Sequence, residues 1–381
     1  MLPTATEDPE LALFISTTRA FLDREVPLDA LRDLHRRGLS YERVWWRQAC
    51  ELGWTSLLVP DELGGGSVSG DGVSDLSRVS ELLGRNVAPG PLAPVSAVVT
   101  ALAEASTASA HLDMLTGLID GSRVGVWAVD EPGRPFGAAP DTDAAATGDG
   151  FLLNGIKDRV EAARDGDFFL VTARTDDGQR QFVVPSDAAG VTVTGMASVD
   201  LVRDYASVRF HNVHIPPEAA VGTADETPVL IERQTHIVQL LQCAETVGVL
   251  DAVFDMTIEW VRERHSFGRP LASYQALKHR LADMKMQLEG CRAVVDAARL
   301  AVGGRTSDAA LVLSAAKAYV GEYSVALIQD GVQLHGGIGV TWEHNLHLYL
   351  RRAEVNRALC GTTEEHHERV YAHYERLESV Q

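Results

Sequence analysis

Residues 262–284 read RERHSFGRPLASYQALKHRLADM and join two long helical segments, one over 234–265 and one over 273–302. Apolar residues recur in both at helical spacing, and a third segment of the same kind covers 307–336. Helices this long hide their apolar faces against one another, so residues 226–381 are expected to form a four-helix bundle. Upstream the texture changes. Between 119 and 225 lie short runs rich in Val, Phe, Ile and Thr, such as GDFFLVTAR (166–174), RQFVVPS (180–186) and GVTVTGM (190–196). Asp-Gly, Gly-Asp and Asn-Gly turn signals separate them about every ten residues, the rhythm of a β-barrel or sandwich. Residues 1–118 are helical again, as in ELALFISTTRAFLDREV (10–26) and YERVWWRQACELGW (41–54), with a Gly-rich break at DELGGGSVSGDG (61–72). The expected architecture is therefore α+β and multidomain: helical domain 1–118, β domain 119–225, helical bundle 226–381.

Composition narrows the function. The 381 residues carry a formal net charge of -19, which argues against sequence-independent binding to nucleic acid or an anionic membrane. A phosphate-bearing ligand remains compatible, because a few local arginines suffice for one. Cys50, Cys243, Cys291 and Cys360 are far apart and show neither zinc-knuckle nor disulfide spacing. A reducing cytoplasm is the expected compartment. The acidic N-terminus lacks the basic, then apolar, pattern of a targeting signal, and no uninterrupted apolar stretch is long enough to span a bilayer.

Two motifs carry the chemistry. The first is Arg262–Pro270 continued by Tyr274–Met284, and the second is Gln333-Leu334-His335-Gly336-Gly337-Ile338-Gly339. In this order, and with the helix–β–helix layout, they resemble the acyl-CoA dehydrogenase family over essentially the whole chain. The resemblance implies a dimer or tetramer with FAD held between subunits. One subunit's β domain and bundle hold the isoalloxazine ring, while its neighbour lends the segments around the pyrophosphate and adenosine. It places Arg264 and Phe267 at the pyrophosphate and adenine side, with Gln275 hydrogen-bonding the cofactor. Gln333, Gly336 and Gly337 would line the dinucleotide path, and Thr362 and Glu364 would lie beside the cofactor. The chemistry agrees: a dianionic pyrophosphate suits a guanidinium fork, and Gly-Gly lets backbone approach a phosphate closely. Taken singly, an Arg-x-x-Phe is a surface charge beside an aromatic and a Gly-Gly is a turn; together and in order they point to the cofactor.

The family's reaction removes the α-proton of an acyl-CoA thioester with a carboxylate, while the β-hydrogen leaves as hydride to the flavin. Such a base needs a raised pKa and a site that excludes water. Aligned on Leu350-Arg351-Arg352-Ala353, the position of the usual base holds Cys360, and the alternative position on the preceding long helix holds Val238. A thiol in an apolar pocket is a poor base. Glu245 falls on the stripe marked by Ile237, Leu240, Leu241, Ala244 and Gly248; it either pairs with a buried arginine or acts as base or substrate-orienting group. Arg351 and Arg352 are either phosphate contacts or solvated ion pairs. His366 and His367 beside Glu364 and Glu365 point about 100° apart on a helix, so no metal site is expected.

The middle domain departs from the family too. Glu131-Pro132-Gly133 and Asn154-Gly155-Ile156-Lys157 survive, but the small hydroxyl residues after the first are missing. So are the aromatic and threonine expected after the second. The elements lent to a neighbour's flavin are intact and those needed for the chain's own ring are degraded. That is the pattern of a non-catalytic subunit in an α2β2 enzyme, an arrangement the family uses for bulky steroid-derived acyl-CoA. A homotetrameric enzyme with a displaced base such as Glu245, and a repurposed binding or scaffold subunit, are the alternatives.

Overall fold

The computed structural model of the protein describes residues 8–378. Six helices open the chain: α1 (Pro9–Glu25), α2 (Leu28–Arg36), α3 (Arg43–Glu51), α4 (Gly72–Arg85), α5 (Leu92–Glu104) and α6 (Leu112–Ile119). Asp71 caps α4 by accepting from Ser74 N–H. Asp75, one turn on, accepts from the amides of Val68 and Ser69, which ties down the Gly-rich break before the helix. Helix α5 is apolar all round because α7 and the first strand enclose it. Its hydroxyls bond back within the helix, Ser96 to Leu92 O and Thr100 to Ser96 O.

The middle region holds β1 (Gly125–Ala128), β2 (Asp143–Thr147), β3 (Gly150–Glu161), β4 (Phe168–Thr175), β5 (Gly178–Pro185), β6 (Val191–Met196), β7 (Tyr205–Ile215) and β8 (Ala220–Val221). They form one eight-stranded sheet in the order β6-β7-β3-β2-β4-β5-β8, with β1 parallel to β4. Among the described residues β6 and β8 do not pair, so the sheet is open. The β3–β7 ladder has register shifts after Leu153 and after Lys157. These bulges re-aim the residues that follow. The second matters most, because it turns Arg159 and Glu161 toward the helical domains.

Helices α7 (Thr227–Glu263), α8 (Gln275–Gly303), α9 (Ala309–His335), α10 (Leu346–Ala358) and α11 (Thr363–Glu378) complete the fold, and a two-stranded hairpin, β9 (His265–Ser266) and β10 (Arg269–Pro270), links α7 to α8. Helices α7, α8 and α9 pack on one another, with α10 and α11 against α9. A reciprocal capping box starts α7: Thr223 N–H donates to Glu226 and Glu226 N–H to Thr223 Oγ1. The stripe expected on α7 is in fact its whole circumference, since every residue from Ile237 to Leu250 is buried. The reason is that α4, α5, α9 and α10 surround it. Gly84 of α4 and Gly248 of α7 make the closest crossing. A Cβ on either would collide with a backbone carbonyl of the other helix, Glu245 O or Glu81 O. Helices α7 and α9 are long and apolar enough to cross a bilayer, although no uninterrupted apolar run marked them in the sequence; their most apolar windows are 83% and 61% buried inside the protein.

Candidate functional site

Where β3 and β7 meet α7 and α10, the sequence buries charge. Arg203 donates to Glu161 and to Glu245, both at 2.6 Å. Arg352, with no exposed surface, donates to Glu245 at 2.7 Å and to Asp200 at 2.6 Å, and its remaining N–H groups reach Ala88 O and Val87 O. The second oxygen of Glu245 accepts from Asn356 at 2.8 Å. Buried charges persist only when paired and hydrogen-bonded in this way. Burial pushes the Glu245 carboxyl up, but Arg203 and Arg352 outweigh it and hold the group below the usual glutamate range. Burial pushes Glu161 up and there prevails, with Glu245 as a nearby like charge.

Beside this network lies a cavity of about 50 Å³, bounded by Trp127, Asp130, Arg159, Glu161, Val238 and Cys360. Its polar walls pair with each other. Arg159, in the left-handed region at φ 49°, reaches Asp130 at 3.4 Å. Arg159 and Glu161 follow Asn154-Gly155-Ile156-Lys157, where the family resemblance calls for an aromatic and a threonine beside the flavin. Glu131 turns the other way. It binds Lys157 at 2.7 Å and accepts the amides of Asp141 and Thr142. Burial raises the Glu131 carboxyl, yet the bonds from Lys157 and Thr142 win and bring it down to about 2.

The position of the usual base is just as constrained. Cys360 and Gly361 both take positive φ, 57° and 100°, where α10 ends. Gln239 donates to Cys360 O at 2.8 Å and Gln242 lies 3.4 Å from its sulfur. Lys317 of α9 is buried and supplies the missing donors of the helix end, bonding Asn356 O, Leu359 O and Gln242 Oε1. Burial pushes the Cys360 thiol up to about 12, so at neutral pH it is protonated and inert as a base. Thr362 and Glu365 form a capping box for α11, Thr362 N–H to Glu365 at 2.9 Å and Glu365 N–H to Thr362 at 3.2 Å. Glu364 faces solvent with Arg357 3.9 Å away.

The second site is exposed. Phe267 and Gly268 form the two-residue tip of the β9–β10 hairpin, both at positive φ, 51° and 79°. Such a tip favours Gly or Asn, and a phenyl ring here is strained. It is also 96% exposed. Arg264 is exposed and lies over the Trp260 ring, and Trp260 stacks on His335 at 5.2 Å. Trp260 and His335 thus bring the two sequence motifs together. Gln275 is exposed at the first position of α8, with Tyr274 OH fixing the hairpin through Ser266 O at 2.7 Å. Gln333, Gly336 and Gly337 are exposed, and a Cβ on either glycine would meet nothing within the chain.

One expectation needs correction. Arg352 is neither a phosphate contact nor a solvated ion pair: the helix turn sends Arg351 outward to Val199 O and Arg352 into the buried network. His366 is buried against Cys360 O, and among the described residues no cluster of His, Cys, Asp or Glu could hold a metal. Sequence reading missed Asp200, Arg203, Gln239, Gln242 and Lys317. Only Lys317 left a signal, a lone cation in the otherwise apolar first half of α9.

A three-part fold with an exposed Arg-x-x-Phe hairpin beside a Gln-Leu-His-Gly-Gly turn defines the acyl-CoA dehydrogenase class. The chain belongs to that family: residues 8–122 match the acyl-CoA dehydrogenase N-terminal domain and residues 230–374 the acyl-CoA dehydrogenase C-terminal domain. It is 31% identical over 342 residues to the acyl-CoA dehydrogenase FadE27 of Mycobacterium tuberculosis, covering 87% of this chain and 88% of that one. The ChsE4-ChsE5 complex from the same organism superposes with a TM-score of 0.87 at 27% identity, covering 98% of each chain. A point variant of the Tcur3481-Tcur3483 steroid dehydrogenase gives 0.87 and 27%, covering 97% of this chain and 99% of that one.

Proposed function

We propose that this chain is the non-catalytic subunit of a heteromeric acyl-CoA dehydrogenase and completes a sister subunit's FAD site. The observation that carries the reading is the closed ring cleft. Small-molecule sites measure about 300–1,000 Å³, whereas about 50 Å³ remains here between paired side chains. The residues of this chain therefore do not fit an isoalloxazine ring, and its usual base position holds a protonated thiol. The nucleotide end is different. Arg264, Gln275, Gln333 and the Gly336–Gly337 turn are exposed and free to meet a pyrophosphate and adenosine from outside the chain, with Phe267 packing over them.

On this reading Glu245 is a structural anion and not the base. All three of its hydrogen bonds favour the carboxylate, while proton abstraction from a thioester needs a raised pKa. Thr362 and Glu364 are assigned to the cofactor by the family resemblance alone, and within the chain Thr362 caps α11. FAD supplies hydride acceptance, in the sister subunit's cleft. The assembly is an α2β2 heterotetramer in the cytoplasm acting on an acyl-CoA with a bulky acyl group, consistent with the steroid enzyme and the two-component complex among its relatives.

Visible spectra of the purified chain, alone and co-expressed with candidate sister dehydrogenases, test this. The chain alone should be colourless, and the right complex yellow and bleached by its acyl-CoA without oxygen. Arg264→Gln in this chain should then strip flavin from the complex. A lone chain that is yellow and bleached by an acyl-CoA would overturn the reading in favour of a self-sufficient homotetramer. A complex colourless with every sister would leave a scaffold role instead.

A further inference from the structure

On the far side of the α4–α7 crossing from the ring cleft, α1, α4, α7 and α8 enclose a groove of about 650 Å³. In a chain of net charge -19, five arginines converge on it: Arg19, Arg78, Arg85, Arg292 and Arg299. Three are neutralised. Arg85 pairs with Asp251 and with Asp255 at 2.9 Å, Arg292 with Glu81 at 2.7 Å and Asp251 at 3.0 Å, and Arg299 with Asp296 at 3.0 Å. Asp23 accepts from the neutral amide of Asn86 at 3.2 Å and keeps its negative charge on the wall. Arg19 and Arg78, from different helices, make no hydrogen bond or ion pair among the described residues.

Arg78 is the telling member. It is half-buried, its Nε is fully buried, and no protein acceptor reaches that nitrogen. A guanidinium does not escape by losing its proton, and a buried donor left unmade costs about 1–3 kcal/mol. Arg78 also stands near enough to Arg299 for the two cations to repel, a second pull on Arg299 after burial toward a lower pKa. Arg19 and Arg78 are thus the two cations of this wall without a carboxylate partner among the described residues, while Asp23, Glu81, Asp251 and Asp296 also line it.

We propose that this groove binds a small phosphorylated molecule of nucleotide size, its phosphates between Arg19 and Arg78. Guanidinium forks from two helices match the oxygens of a di- or polyphosphate. The volume falls within the range of small-molecule sites, about 300–1,000 Å³, and is far more than a bare phosphate fills. Ile15 and Leu82 give it an apolar wall for a ring. The inference stands apart from the flavin reading, because Arg264 and the Gly336 turn do not line this groove.

Calorimetric titration of the full chain with ADP, pyrophosphate and orthophosphate tests it. ADP should bind saturably and more tightly than orthophosphate. Arg78→Gln and Arg19→Gln should each weaken ADP about tenfold or more, and Arg36→Gln on α2, outside the groove, should leave it unchanged. Arg19 is exposed, so its variant keeps the test valid if Arg78→Gln fails to fold. Absence of saturable binding overturns the proposal. So does a loss that follows Arg264 in place of Arg78 and Arg19, or equal affinity for orthophosphate and ADP.

Discussion

Glu245 is held by two guanidiniums and an amide, in a network where Arg203 also binds Glu161 and Arg352 also binds Asp200. Glu245→Gln takes the one carboxylate that bridges both cations, and breaking such a buried pair costs about 3–5 kcal/mol. Urea unfolding should report a loss of that order, while the desaturation rate per folded sister subunit stays unchanged; a rate falling to background with stability intact would make Glu245 a catalytic group. Cys360→Glu restores a carboxylate at the usual base position. With the ring cleft still closed by Arg159 and Glu161, it should leave the lone chain colourless and without acyl-CoA-dependent bleaching. The sequence shows Glu245 as a charge on an apolar helix, but not its partners. They lie 42 and 107 positions away in chain order, on the approach to β7 and on α10, and no local pattern links them. Arg352 misled for a related reason: beside Arg351 it reads as half of a surface pair, and only the helix turn separates their directions.

The β9–β10 hairpin shows the opposite, a site legible before the structure because its residues are contiguous. What the letters did not show is the conformation of Phe267. A non-glycine residue in the left-handed region costs about 1–2 kcal/mol, and this ring recovers nothing by burial within the chain. Phe267→Gly should therefore leave the isolated chain as stable as before or slightly more so by thermal melting, yet lower flavin retention in the assembled enzyme. A flavin content untouched by the change would remove Phe267 from the nucleotide grip. The start of α11 makes a second case at this scale. Thr362→Ala removes one side of the capping box and should cost about 1 kcal/mol in denaturant titration. If flavin content falls while stability holds, Thr362 belongs to the cofactor and not to the cap. The order of elements was readable because the period of apolar residues changes twice along the chain. The enclosure of α7 on all sides was not, since a fully buried helix has no polar face to mark its orientation.

At the scale of the molecule, the carboxylates set the response to pH. Burial pushes Asp200 and Glu245 up, but their arginines hold both below the ordinary range, and Glu131 sits near 2. A lowered folded-state pKa contributes stability above the unfolded value, near 4, and loses it as pH falls toward the folded one. Glu161 has the reverse sign: its raised pKa favours the protonated native form, so its contribution fades as pH rises through that value. Unfolding free energy should fall steeply below about pH 4, while Glu161 adds a decline that starts above its unfolded value, near 4, and ends at its raised folded one; Glu161→Gln should remove only that decline. A decline left unchanged by the substitution would assign it to another group. The same network also sews the molecule together, with Glu161, Asp200 and Arg203 coming from the sheet region and Glu245 and Arg352 from the helices. Pulling the two layers apart would strand ions on both sides, so neither layer has a melted state that spares the other. Differential scanning calorimetry should accordingly give one endotherm whose calorimetric and van't Hoff enthalpies agree, and Arg352→Met should split it in two.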